Sequence, residues 1–321
     1  MNATANALPE PTVVPASSIA PTRTFYWSVR RELWENRSLY IAPLVLAGAI
    51  LLAIVIGIVK GSGVSISIPE AQQISVQQLR GAAVGLFTVL CVLMVWTMAI
   101  VAWFYTLDAL HGERKDRSVL FWKSLPVSDT TTVLSKLFTA SVVAPVIGLV
   151  IAFVLYVITL VAGTLGLAAT GRNGFALLAN AEVINLIVVG LYVIVVGALW
   201  YAPVTAWLLF VSSWARRSPF LWAVLPVVGL VLVEYFALGT WHIRNLIGQR
   251  LLDTSAFNPA SGMQIGGGAT RSWPEQLADG SVLSILDPVR FFSQPGLWVG
   301  LAIAAGLVAA TVWMRRYREP L

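Results

Sequence analysis

The chain has 321 residues, 58% of them hydrophobic and only 11% charged, and its mean hydropathy is +0.80. An ordinary soluble domain carries about a quarter charged residues, so this composition excludes a soluble globular protein and implies an integral membrane protein. The net charge of +6 reflects a bias of basic residues toward one membrane face rather than a nucleic-acid footprint.

In chain order, residues 1–22 hold a single charge, Glu10, among Ala, Pro, Thr, Val and Ser. They lack the basic start and apolar centre of a signal peptide, so a disordered tail is expected. Residues 23–37 place Phe25, Tyr26, Val29 and Leu33 on one side of a helix, with Trp27 and Trp34 beside them. Ser28, Arg31, Glu32 and Glu35 lie opposite. This spacing predicts an amphipathic helix on the inner membrane surface, with Arg30 and Arg37 laying their stems along lipid and their heads against phosphate. The alternative is the aromatic and basic flank common at first spans.

Six uncharged runs are long enough to cross a hydrocarbon core about 30 Å thick. They are predicted at about 38–59, 81–107, 137–169, 183–211, 219–240 and 297–314, the third kinked by Pro145. The fold class expected is an all-α, six-span membrane protein. With the N-terminus inside, fourteen of the 21 basic residues fall on the cytoplasmic side, which places both termini in the cytoplasm.

Reactive groups are few. His111 and His242 lie far apart, Cys91 sits within the second span, and none of Lys60, Lys115, Lys123 and Lys136 belongs to a phosphate-binding Gly-rich loop. No metal or cofactor is expected on this chain. Glu234, within the fifth span, snorkels toward the outer surface or pairs with a neighbouring helix, or else lines a substrate or proton path.

The loop 108–136 between spans two and three is unusual. "GERKDR" is mixed in sign, "SVLFW" is apolar, and Pro126 ends any helix before Ser128 or Asp129 can cap the next one, which rises past Lys136. Phe121 and Trp122 either dip into the lipid interface or form the aromatic anchor of a protein-binding surface ringed by charge. The outer loop 241–296 begins with a helical pattern, Ile243, Leu246, Ile247 and Leu251 sharing one face, and continues through a Gly-, Ser- and Pro-rich excursion.

The string Glu113 … Ser118 … Lys123-Ser124-Leu125-Pro126-Val127-Ser128 … Lys136 resembles the E-x-x-x-x-[ST] … S-L-P-[VL]-[ST] … K pattern of permease subunits in the ABC type-2 transporter family. The whole plan is similar too: a basic amphipathic segment, six spans, this loop, a long outer loop and a basic C-terminus. The resemblance implies a coupling helix at 108–136 that docks on a separate ATP-binding subunit through Glu113, Arg114, Arg117, Phe121 and Trp122, with Pro126 fixing the corner. It implies a connecting helix around Arg31, Glu32 and Trp34, and short re-entrant outer helices before the last span. ATP and magnesium would be held by that partner subunit, and a second permease copy or a related permease would complete the pathway. The implied function is export of an amphipathic, peptide-, drug- or lipid-like substrate across a bacterial inner membrane. The competing readings are an ion- or proton-coupled secondary transporter or channel, which requires more intramembrane charge, and a membrane enzyme built on His111, His242 or Glu234.

Overall fold

The computed structural model describes residues 21–60, 76–118, 127–169, 171, 173–252 and 286–317. The described residues form an all-α structure in which six helices are long and apolar enough to cross a membrane. The elements in order are α1 (Pro21–Glu35), α2 (Ser38–Val59), α3 (Val76–Asp108), α4 (His111–Lys115), α5 (Asp129–Phe138), a π-helical turn (Thr139–Val143) and α6 (Ala144–Ala169). They continue with α7 (Phe175–Ala179), α8 (Val183–Trp200), α9 (Ala202–Trp214), α10 (Pro219–Leu238), α11 (His242–Leu252), α12 (Pro288–Ser293) and α13 (Pro295–Tyr317).

Two helix pairs organise the bundle. α3 packs along α6, with α2 against both, and α9 packs along α13. The α3–α6 contact is close because Gly148 lets α3 approach: a Cβ there would lie 2.6 Å from Met98 Cγ. Gly190 serves α8 in the same way against Leu149, whereas Gly48 faces open space. Toward one end the core holds Phe87 edge-on to Tyr156, whose hydroxyl donates to the Ala181 carbonyl at 3.1 Å. Toward the other it holds Leu39, Met98, Tyr105, Val133 and Leu209.

Both expected signals for the third span are realised, one in an unexpected form. Ser128 is the N-cap of α5, accepting from Thr131 N at 3.1 Å. Pro145 lacks the N–H that an uninterrupted α-helix needs, and the chain widens just before it: Ala144 N reaches back five residues to the Thr139 carbonyl, the π-turn spacing. The helix that carries the third span therefore starts at Asp129, as the cap predicts, and runs to Ala169 around that turn.

The single fourth span expected over 183–211 is instead two helices. α8 ends at Trp200, Tyr201 leaves helical geometry with φ −89 and ψ 2, and Pro203 sits in the first turn of α9. Proline is favoured at a helix start and disfavoured within one, so Pro203 starts a new helix in the middle of an apolar run. The fifth span ends at Leu238 on a left-handed Gly239, φ +64, and the last runs over Pro295–Tyr317.

Arg80, near the start of α3, pairs with Glu182 at 2.5 Å. At 1.5 Å per residue, about 42 Å of helix separates it from Asp108, close to a bilayer with its headgroups. Charge is thus gathered at the two ends that headgroups would occupy.

Replacing Gly148 by Val should lower the melting midpoint of the detergent-solubilised chain by an amount equivalent to about 1–3 kcal/mol, because the added methyls overlap Met98. Gly48→Val, which meets open space, should leave it within about 0.5 kcal/mol. A thermal-stability assay on both variants checks the pair.

Candidate functional site

Four segments far apart in sequence meet at the Asp108 end of the bundle. Lys136 of α5 is 2% exposed, and its Nζ lies 2.9 and 3.0 Å from the two Glu32 carboxylate oxygens and 3.0 Å from Glu113 Oε1. Each carboxylate has a further cation. Arg31 donates to Glu32 Oε1 at 2.7 Å and approaches Glu113 Oε1 at 3.5 Å. Arg315 of α13 donates to Glu113 Oε2 at 2.6 Å and to Asp129 Oδ1 at 3.0 Å. Tyr105 of α3 adds its hydroxyl to Glu32 Oε2 at 2.9 Å.

Arg31, Lys136 and Arg315 face Glu32, Glu113 and Asp129, three charges against three, with the exposed Glu35 3.7 Å from Arg31 at the rim. Balance is what makes burial tolerable. Taking ions from water costs several kcal/mol each, and only close, well-bonded partners offset that. Burial alone would raise the Glu32 carboxyl. The Lys136 ammonium and the Arg31 guanidinium outweigh it and hold Glu32 below the ordinary carboxylate range.

A second tie fixes the short helix α4. Leu110 N and His111 N both donate to Ser212 Oγ at 3.0 Å. In return Arg114 donates to the Ser212 and Ala215 carbonyls at 3.1 and 2.6 Å, and His111 Nδ1 lies 3.1 Å from the Ala215 oxygen. The start of α4 and the end of α9 cap one another, with a cation at the negative end of the α9 dipole.

These contacts give the surroundings of four residues singled out in the sequence. Glu113 and Arg114 are buried and bonded within their own chain. Arg31 and Glu32 were assigned to the exposed polar face of α1, yet Glu32 is fully buried, Ser28 nearly so, and Arg31 reaches into the charge cluster. Ser28 and Glu32 turn to the bundle, while Phe25 packs edge-on against Phe138, Leu33 lies against the Leu39 cluster, and Glu35 is exposed. Trp27 and Trp34 are exposed. Arg117 is exposed and sits at φ +55, a sharp left-handed turn that takes the chain away from α4. Phe121, Trp122 and Pro126 lie outside the described residues.

Glu234 stands about 22 Å along α10, yet its side chain neither snorkels nor opens onto a path. It pairs with the neighbouring helix, one of the expected readings: its carboxylate accepts from Thr240 Oγ1 at 2.8 Å, His242 N at 2.6 Å and Ile243 N at 2.8 Å, with His242 Nδ1 at 3.2 Å. It caps the N-terminus of α11 and folds that helix back beside α10. The expected helix over "HIRNLIGQRLL" is present, but Leu246 and Leu251 face outward while Arg250 turns in. Arg250 stacks 4.1 Å from the Trp200 ring, its carbonyl accepts from Trp200 Nε1 at 3.1 Å, and its Nη1 donates to the Gly296 carbonyl at 3.1 Å. The guanidinium fills the space beside Gly300, so a Cβ there would make Arg250 shift. The break after Trp200 is what makes that ring available, and Phe291 of α12 packs on its other side within a cluster that includes Leu297.

No group of three or more His, Cys, Asp or Glu suited to a metal ion occurs among the described residues.

Lys136→Met removes the central cation and leaves two buried carboxylates short of charge, at an expected cost of about 3–5 kcal/mol. Adding Glu32→Gln to it should recover part of the loss, and a thermal-melt cycle of the three variants measures the difference. The pH dependence has a definite sign. A carboxylate held low in the folded state contributes stability above its unfolded value, about 4.3, and loses it as pH falls through the folded value. The parent's melting midpoint should thus be flat from pH 7 to about 5 and fall below about 4.3, with a shallower fall in Glu32→Gln.

No family model, curated protein or solved structure matches this chain.

Proposed function

We propose that this chain is the permease subunit of an ATP-driven exporter of the ABC type-2 kind, with a separate ATP-binding subunit docked on the segment 108–136. The observation that carries the reading is the buried cluster of Lys136, Glu32, Glu113 and Arg315, which ties that segment to α1, α3 and α13 at one end of the bundle. A loop that only skirted lipid would not need three cations and three carboxylates to hold its base. A loop that takes mechanical load from a motor does.

In this reading the inward residues Glu113, Arg114, Arg31 and Glu32 position the lever, while Arg117, Phe121, Trp122 and the corner at Pro126 meet the motor. Closure of two ATPase subunits would press on that surface, and the cluster would pass the displacement to the spans without a slack joint. The permease makes and breaks no covalent bond. It supplies two packings of unequal affinity for substrate and motor, since a ligand shifts an equilibrium only by such a difference. ATP and magnesium belong to the partner, both chain termini to the cytoplasm and α11 and α12 to the outer half of a bacterial inner membrane, where Arg250 on Trp200 closes the bundle. A second permease completes the path for an amphipathic, peptide-, drug- or lipid-like substrate.

Glu234 favours this reading over a proton-coupled carrier. Its carboxylate is occupied by three donors at the start of α11 and has no free role as a relay.

The test is purification of the tagged chain from its native membrane, with mass identification of partners and an ATPase assay. A P-loop ATPase should co-purify with the parent and be lost or uncoupled in Phe121→Ala/Trp122→Ala. A parent that brings down no ATPase, and whose transport in vesicles follows an ion gradient, would overturn the proposal.

A further inference from the structure

The outward face of α1 carries a pattern that the charge cluster does not use. At 100° per residue, Arg23, Trp27, Arg30 and Trp34 fall within a band of about 60° on the helix surface. Ser28 and Glu32, the buried residues, lie about 150° away around the helix. Cation and indole alternate along this stripe, and Arg37 follows it immediately after the helix ends. Trp27, Trp34, Arg23 and Arg37 are all exposed. The acidic residues of α1, Glu32 and Glu35, lie outside the band.

Arg30 is the centre of the stripe. Its guanidinium lies 4.9 Å from the Trp27 ring and 4.5 Å from the Trp34 ring. Both contacts set the cation over an indole ring, which holds it at the helix surface between the two tryptophans. A guanidinium held in this way has little freedom left to lose on binding and presents a fork that suits two oxygens of one phosphate.

The position of the helix selects the occupant. α1 ends at Glu35 and the 22-residue apolar span α2 begins at Ser38. Only two residues intervene, so α1 is held where the apolar span meets water, at headgroup depth. Exposed indoles are at home at that depth, and a protein partner would have to displace lipid to reach them. We infer that the Arg23–Trp27–Arg30–Trp34–Arg37 stripe is a binding site for anionic phospholipid headgroups, with Arg30 as its phosphate clamp. It depends only on the chain being a membrane protein and holds whether or not an ATPase is the partner. Its consequence is regulatory: the same helix carries Glu32 on its inner face, so lipid charge bears on the setting of the cluster that anchors 108–136.

The experiment is native mass spectrometry of the full chain in a neutral detergent, with phosphatidylglycerol and phosphatidylcholine of equal chain length added in competition. The parent should retain phosphatidylglycerol in preference by roughly ten-fold or more, a preference that falls as salt rises. Arg23→Gln/Arg30→Gln/Arg37→Gln should abolish it. Arg216→Gln/Arg217→Gln, which removes two exposed cations elsewhere, should preserve it. If the triple variant is poorly folded by thermal melt, Arg30→Lys supplies the test, since it keeps the charge, loses the stacked fork and should reduce the preference several-fold. A parent with no preference, a preference unchanged in the triple variant and in Arg30→Lys, or an equal loss in the Arg216/Arg217 control would overturn the assignment. So would protection of Trp27 and Trp34 from hydroxyl-radical labelling by a co-purifying protein and not by phosphatidylglycerol. Retention of an ATPase in the triple variant, read in the same purification, keeps this outcome separate from the exporter proposal.

Discussion

A lysine with 2% of its surface exposed cannot stay charged in an apolar bundle unless carboxylates come to it. Lys136 sets that condition, and much of this end of the molecule follows. Glu32 must arrive on α1 and Glu113 on α4, and each then requires a cation of its own, supplied by Arg31 and Arg315. Asp129 completes the balance beside Arg315. The N-terminal helix, the segment after α3, the start of the third span and the C-terminal turn are joined because the close ion pairs run between them, Lys136 to Glu32 and Glu113 and Arg315 to Glu113 and Asp129. Such a cluster adds little net stability compared with an apolar core of the same volume, but it penalises any arrangement in which one member is missing. Its contribution is therefore to register rather than to strength.

The spans were legible in the sequence because hydrocarbon imposes length and apolarity directly: Ser38–Val59 begins and ends where the charges do, and Ser128 declares itself as a cap by residue type and place. What escaped was direction. On α1 the residues Ser28, Glu32 and Arg31 form a polar side, and in water a polar side faces out. At the edge of a membrane that inference inverts, and the signal available was the pair of tryptophans on the opposite side. Glu113 and Arg114 were legible as a charged motif but not as an inward-facing one, because Ser212, Ala215 and Arg315, their partners, lie about 100 and 200 residues further on. Pro203 did signal the break in the fourth span, yet it stands in a run so apolar that hydropathy alone reads straight through it. Glu234 could not be read as a cap from one helix, since the N–H groups it accepts belong to the next.

The end of the bundle that carries α11 and α12 is built on a different principle. Here a single guanidinium, Arg250, is accommodated by an indole face, a backbone carbonyl and the missing side chain of Gly300 rather than by carboxylates. Cation–π and carbonyl contacts are weaker than the ion pairs at the other end. The two ends therefore differ: the joint around Lys136 is ionic and multiply connected, while the joint around Arg250 rests on fewer and softer contacts. Glu234 supports the latter by holding the first turn of α11 against α10.

The measurement closest to this central claim is amide hydrogen exchange on the purified chain before and after Glu113→Ala. That change takes one carboxylate from between Lys136 and Arg315 without substituting any residue of α1, α5 or α13. If the cluster is one joint, exchange should quicken together in α1, α4, the first turns of α5 and the last turn of α13, while α8 and the α3–α6 core are unaffected. Faster exchange confined to residues 111–117 would show that the four segments are held independently, and would contradict the claim.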